Sequence, residues 1–320
     1  MSKKTNAIWS GAILLTYLLC SRALYAHDAG ELRGYQVREI AQGNFVHVGS
    51  FPPQSIDNHG DIANIGFIVG DKCVAVIDTG STLRVGASLK NAVHSVTSLP
   101  ICAVVITHVH PDHLLGLNAF TQDPDIVIYG HHRLPKQIRS RSRFYLDTLE
   151  RDMNVDDVDD HVIDPSGITT VRAVTSIDLG NRVINIRAWD YAHTDHDLSI
   201  TDTNTGTFWA GDLVFSDHIP ILDSNVRQYD EVLKELKTLD VERYVVGHGP
   251  LNRPWKTLIE EQREYLELLM REVRAAIADG VSLMDAVNTV GWSAEDDWHN
   301  FELYHRRNVT TTYTDLEWEE

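Results

Sequence analysis

Hydrophobic residues in this chain fall into short runs separated by Gly, Pro, Asn and Asp. Residues 35–49 read as two short strands broken at Gln42-Gly43-Asn44, and Pro52, Pro53, Asn58 and Gly60 mark a loop. Ile65–Val69 and residues 73–77 read as a hairpin turning at Gly70-Asp71-Lys72, and its second strand ends in Asp78-Thr79-Gly80. Residues 83–99 have helical spacing, whereas Ile101–Ile106 is uninterrupted and apolar, the mark of a strand buried on both faces. A strand at 126–129 precedes a helix over Leu134–Met153, whose polar face is rich in arginine, and an acidic, solvated loop at 156–160. Strands follow at 171–174, 183–187, 198–200 and 207–210, then a helix at 232–239 and a strand at 244–246. Residues 258–278 form a long amphipathic helix with Leu266, Leu269, Met270 and Val273 on its apolar face. The order of strands, helices, strands and helices, without repeats or long linkers, predicts an α/β fold of two face-to-face sheets with helices outside.

One stretch breaks this alternation with chemistry. Thr107-His108-Val109-His110-Pro111-Asp112-His113 lies between the buried strand and the first turns of a helix at Leu114-Leu115-Gly116-Leu117. Histidine and aspartate are ligand types for a zinc-like cation. Packed together without partners they would cost several kcal/mol in desolvation, so a core gains nothing from them. Three further positions repeat the placement of a polar group just past a strand end, where loops converge in α/β folds. They are His193 after the strand near Trp189, Asp212 after Ala210, and His248 after Val246.

The chain has 320 residues, 43% hydrophobic and 23% charged, an ordinary globular balance. Its formal net charge of -18 argues against a nucleic-acid backbone or an anionic membrane as the main partner, though not against a nucleic-acid substrate held through a metal; a small-molecule substrate is expected. Lys3 and Lys4, an apolar stretch from Ile8 to Cys20, and Ala23-Leu24-Tyr25-Ala26 have the layout of a secretory signal peptide over residues 1–26. Its removal takes away Lys3, Lys4 and Arg22 and leaves a mature charge of -18 - 3 = -21. The expected location is therefore periplasmic or secreted. Of three cysteines, Cys20 leaves with the leader. Cys73 and Cys102 sit early in apolar strands; a bridge is permitted in an oxidising compartment, but two buried free thiols are the preferred reading.

The ordered set Asp78-Thr79-Gly80, the His-rich turn, His193, Asp212 and His248 resembles the metallo-β-lactamase fold superfamily over about residues 35–255. The resemblance implies a four-layer αββα sandwich, occupying residues 27–255 with a C-terminal helical extension at 256–320. It implies two Zn2+ ions per chain: His108, His110 and His193 for the first, Asp112, His113 and His248 for the second, and Asp212 bridging. A hydroxide shared by the two metals would attack the substrate, with Asp112 as both ligand and catalytic orienting group. Asp78 would hold the ligand turn, or serve as a plain turn residue. Asp212 stands where class B1 β-lactamases carry cysteine, which points to glyoxalase II-like thioesterases, lactonases and related hydrolases instead. His110 stands where flavodiiron proteins carry glutamate, against redox di-iron chemistry.

Residues 211–223, Val246-Gly247-His248-Gly249-Pro250 and the terminal Tyr304-His305-Arg306-Arg307-Asn308-Val309-Thr310 are most similar to the SoxH-like quinoprotein relay system zinc metallohydrolases. That implies a periplasmic quinoprotein dehydrogenase, or its cytochrome carrier, as partner. Two other readings stay open: a non-catalytic metal-binding accessory protein of such a system, and a mononuclear-iron sulfur dioxygenase. His59, His131, His132 and His218 are secondary candidates for the cleft; His299, His305, Trp292, Trp298 and Trp318 are read as packing residues.

Overall fold

The computed structural model describes residue 32 and residues 34–319, so the leader read at 1–26 lies outside the described residues. A seven-stranded sheet runs in sequence order from β1 (Arg38–Ala41) through β2 (Asn44–His47), β3 (Ile65–Val69), β4 (Val74–Ile77), β5 (Ile101–Ile106) and β6 (Val127–His131) to β7 (Ile168–Val171). A five-stranded sheet has the order β12 (Tyr244–His248), β11 (Thr207–Phe215), β10 (Asp197–Asp202), β9 (Val183–Trp189), β8 (Val174–Asp178). Its β12 runs parallel to β11 while the other pairings are antiparallel.

Side-chain alternation distributes each central strand between two cores. In β4 and β5, Val74, Val76, Val104 and Ile106 face α1 (Leu83–Val96) and α3 (Leu134–Met153). Ala75, Ile77, Ala103 and Val105 point the other way, toward Ile184, Ile186, Leu198 and Ile200 of the second sheet. Trp209 of β11 joins this inter-sheet core. Phe208 and Ala210 of β11 pack outward against α4 (Val226–Lys237), α5 (Trp255–Ala278) and α7 (Phe301–Leu316). Three apolar layers between four structural layers make the αββα sandwich expected from the sequence, and each fully buried aliphatic or aromatic side chain contributes about 1.5–3 kcal/mol.

Several elements differ from the sequence reading; β11 runs on to Phe215, so Asp212 lies inside the strand and not past its end as expected. The strand expected at 171–174 is two strands, because Arg172-Ala173 carries the chain from the end of the first sheet to the start of the second. The helix expected at 232–239 begins six residues earlier, capped by the Asn225 side chain on Gln228 N–H. Cys73 and Cys102 are bonded to each other, correcting the preferred reading of free thiols. Val74 pairs with Ile101 but Ala75 with Ala103, so Cys102 is the extra residue of a bulge and its side chain meets Cys73, with Cα atoms 5.7 Å apart. Neither the bulge nor this approach is written in residue type. Trp292 and Trp298 pack on the outer helical core as expected, whereas Trp318 is exposed.

The bridge closes a loop of 29 residues that contains all of α1. Reduction, or Cys73→Ser with Cys102→Ser, is expected to lower unfolding stability by about 3–4 kcal/mol on loop-entropy grounds. Equilibrium denaturation with and without reductant checks this.

Candidate metal centre

Loops at one edge of both sheets meet over the His-rich turn. Strand β5 ends at Ile106, and Pro111 sets the first position of a one-turn helix, α2 (Pro111–Leu114), so His108, His110, Asp112 and His113 leave the backbone in different directions. His193 comes from the β9–β10 loop, Asp212 from β11 and His248 from the end of β12. Ligand atoms of His108, His110, His193 and Asp212 lie within 4.8 Å of one another, and so do those of Asp112, His113 and His248. Asp212 stands between the groups. Its Oδ2 is 3.4 Å from His193 Nε2 and 3.4 Å from His248 Nε2, and its Oδ1 is 3.2 Å from His113 Nε2. Asp112 Oδ2 is 3.2 Å from His248 Nε2. The structure therefore brings together all seven residues singled out in the sequence, with Asp212 grouped with His108, His110 and His193 and within 3.4 Å of His248.

The outer nitrogens of the five imidazoles fix which nitrogen is free. His113 Nδ1 donates to Asp78 Oδ2 at 2.8 Å, and His108 Nδ1 meets Thr107 Oγ1 at 3.0 Å. His193 Nδ1 donates to the Ile221 carbonyl and His248 Nδ1 to the Ile62 carbonyl. His110 is reversed: Nε2 donates to Asp223 Oδ2 at 3.2 Å. In each neutral ring the other nitrogen is then a bare lone pair facing the shared space. His110 Nδ1 and His193 Nε2 lie 2.9 Å apart, a repulsive approach for two lone pairs unless a proton or cation is shared. His108 Nε2, His113 Nε2 and Asp212 Oδ1 are buried without a hydrogen-bond partner. Such orphaned atoms are costly in a dry site, and they are resolved by cations, so the clusters fit a dinuclear metal site.

Asp78 is the knot behind this arrangement. Its backbone is left-handed at φ 57°, and its carboxylate accepts from Thr107 N–H at 2.7 Å, Thr107 Oγ1 at 2.8 Å and His113 Nδ1. Thr79 donates its N–H and hydroxyl to the His113 carbonyl. Asp78 thus holds the ligand turn from behind. Gly247 is required for a different reason: a Cβ there would stand 1.8 Å from Asp212 Oδ1. Asp197, fully buried, accepts from Thr194 N–H and hydroxyl and braces the His193 loop.

Charge in the site is divided. Burial lowers His108 well below the usual imidazole value and His193 to about 3. Burial opposes protonation of His113 and His248 too, but Asp212 and Asp112 outweigh it; His113 is raised, and His248 to about 10. Burial likewise raises Asp112 and Asp212, yet the histidines beside them hold both carboxyls well below the ordinary range.

The secondary histidines do not join the centre. His131, His132 and Asp190 also cluster. However, His131 Nδ1 accepts from Arg133 N–H at 3.2 Å, while its Nε2 lies 3.4 Å from Asp190 and is buried without a hydrogen-bond partner, apart from the seven-residue cluster. His218 bonds through Nδ1 to the Ile219 carbonyl and packs its ring 5.2 Å from that of His248. His59 contacts Arg84, and His305 is buried between Tyr265 and the Val290 carbonyl. Sequence reasoning assigned no role to Asp223, Arg141 or Arg307. Asp223 meets His110 across 113 residues and Arg141 across 82, a separation that no local pattern signals.

A profile of the Metallo-beta-lactamase superfamily matches residues 60–248, and the chain belongs to that superfamily. Solved structures share the fold at low identity. A beta-lactamase domain protein from Burkholderia ambifaria is 17% identical, covering 88% of each chain with a TM-score of 0.66. A metallo-beta-lactamase from Pontibacter korlensis is 16% identical, covering 73% of this chain and 99% of its own, with a TM-score of 0.56. Metallo-beta-lactamase IND-7 is 16% identical over 74% of this chain and all of its own, also at 0.56. A search of curated proteins finds no significant match.

Two outcomes test the centre. Because Asp112 and Asp212 raise the proton affinity of His113 and His248, and ligation needs their Nε2 lone pairs, cations compete with protons there; binding of divalent cations should weaken as pH falls, and calorimetry in buffers of different ionisation enthalpy counts any protons released. Asp78→Ala should weaken cation affinity about 10–100-fold in competition with a chromophoric chelator.

Proposed function

We propose that this chain is a dinuclear zinc hydrolase exported to the periplasm, acting on a small ester, thioester, lactone or amide. The superfamily and the metal-ready clusters support a metal-dependent hydrolase. The observation that carries the reading is the set of five imidazoles whose outer hydrogen bonds leave every free nitrogen facing Asp112 and Asp212. In the assignment we favour, His108, His110 and His193 hold one Zn2+, Asp112, His113 and His248 hold the second, and Asp212 lies between them. Two such cations would polarise a scissile carbonyl and lower the pKa of bound water.

The chain supplies the rest. Asp112 stays ionised beside His113 and His248, and its carboxylate can accept a proton from the attacking water. Tyr304 packs its ring 5.5 Å from that of His218, and burial and the nearby Asp112 raise its phenol to about 12, so its O–H stays protonated beside the centre. Asp212 in place of cysteine favours the thioesterase and lactonase side of the family over B1-type antibiotic hydrolysis.

The signal-like N-terminus and the Cys73–Cys102 bridge support an oxidising compartment. The terminal motifs support a SoxH-like protein that works beside a quinoprotein dehydrogenase or its cytochrome.

Metal-loaded protein is expected to hydrolyse members of an ester, thioester and lactone panel. His110→Ala should reduce kcat/KM by more than the 10–100-fold typical of losing an outer partner. A panel without turnover by protein carrying two zinc ions would overturn the reading.

A further inference from the structure

Behind His110 lies a group of charges that metal ligation does not need in full. Asp223 Oδ2 accepts from His110 Nε2 at 3.2 Å and from Arg141 Nη1 at 2.7 Å, while Oδ1 is 2.9 Å from Arg307 Nη2. One carboxylate suffices to orient a ligand imidazole. Here it also draws in two guanidinium groups from separate helices, Arg141 from α3 and Arg307 from α7. Their charges sum to +2 from the arginines and -1 from Asp223, leaving +1 in a chain whose formal net charge is -18. Both side chains remain open to solvent, at 32% and 46% exposure.

The seat and the metal centre share a wall. Tyr304 lies one turn before Arg307 on α7, and its ring is 5.5 Å from that of His218, which in turn is 5.2 Å from His248. The α7 face therefore runs from the second ligand group to the arginines, while His110 connects them to the first. Phe144 on α3 and Leu303 on α7 are exposed at 66% and 53%, each one turn from an arginine of the pair.

We propose that Arg141 and Arg307 seat a carboxylate of the substrate, so that the natural substrate is an anionic acyl compound whose cleavable bond reaches the metal centre while its distal carboxylate rests on the arginine pair. This rests on the hydrolase reading above and adds its substrate class. Guanidinium forks suit carboxylates and phosphates alike. The residual +1 matches a singly charged carboxylate better than a phosphate dianion.

Binding and turnover test this separately. Glutarate and butyrate share one carboxylate that can meet the metals; only glutarate has a second for the arginines. By calorimetry on zinc-loaded protein, glutarate is expected to bind about tenfold more tightly than butyrate, an advantage lost in Arg307→Gln. Arg307 is the residue to change because it contacts Oδ1 and leaves the His110 contact at Oδ2 in place. Metal content checks that the variant retains the centre. Should it fail to fold, Arg307→Lys keeps the charge without the fork and is expected to give an intermediate advantage. Equal affinities in the wild type, or an advantage that survives substitution, overturn the seat. In turnover, the 4-nitrophenyl half-ester of glutarate should have a higher kcat/KM than 4-nitrophenyl butyrate, and the ratio should fall about tenfold in Arg307→Gln. Turnover of both esters with no preference overturns the seat and leaves the hydrolase. Glutarate binding through Arg307 without turnover of either ester supports the seat and overturns the hydrolase.

Discussion

The centre depends on a constraint on protons. An imidazole has two nitrogens, and a neutral ring carries one proton; whichever nitrogen donates outward leaves its partner as a lone pair. In this chain the outward acceptor is a carboxylate for His110 and His113, a hydroxyl for His108, and a backbone carbonyl for His193 and His248. His110 uses Nε2 and the other four use Nδ1, yet the result is the same: free nitrogens converge with Asp112 and Asp212. His131 contrasts with these five in that its Nδ1 accepts a backbone N–H and so is taken up by the chain itself. Ligand capacity follows from what lies behind each ring more than from which residues are close.

The fold supplies those acceptors from distant places. Asp78 follows β4, Thr107 follows β5, Ile62 precedes β3 and Ile221 follows β11. Sheets that are apolar on both faces fix where their strands end, so the loops beyond them can hold a polar cluster at one edge without weakening the core. Asp78, in a left-handed conformation, ties three groups of the ligand turn to β4. The same principle reaches further out through Asp223, which orients His110 with one oxygen and shares both with arginines of α3 and α7. The C-terminal helices therefore cover the outer core and also bring charge to Asp223 behind His110.

Much of this was legible in the sequence because the signals are local. Ile101–Ile106 followed by Thr107 to His113 announces a buried strand and a ligand turn within a few residues, and His193, Asp212 and His248 each follow an apolar run. What the sequence did not disclose depends on long-range register or on contacts between separate elements. The Cys73–Cys102 bridge arises from a bulge between β4 and β5. The crossing between sheets at Arg172-Ala173 leaves no mark in a run that looks like one strand. Asp223 looks like an ordinary loop residue until its partners arrive from two helices.

The most direct test of the central claim is the metal content of mature protein isolated without added metal, measured per chain by elemental analysis alongside a check that the chain is folded. Lone pairs gathered in two adjoining groups predict two metal ions per chain, which the proposed function takes to be zinc. A folded chain with little or no bound metal would contradict the assignment of these residues as ligands, and a single tightly held iron would contradict the dinuclear zinc account.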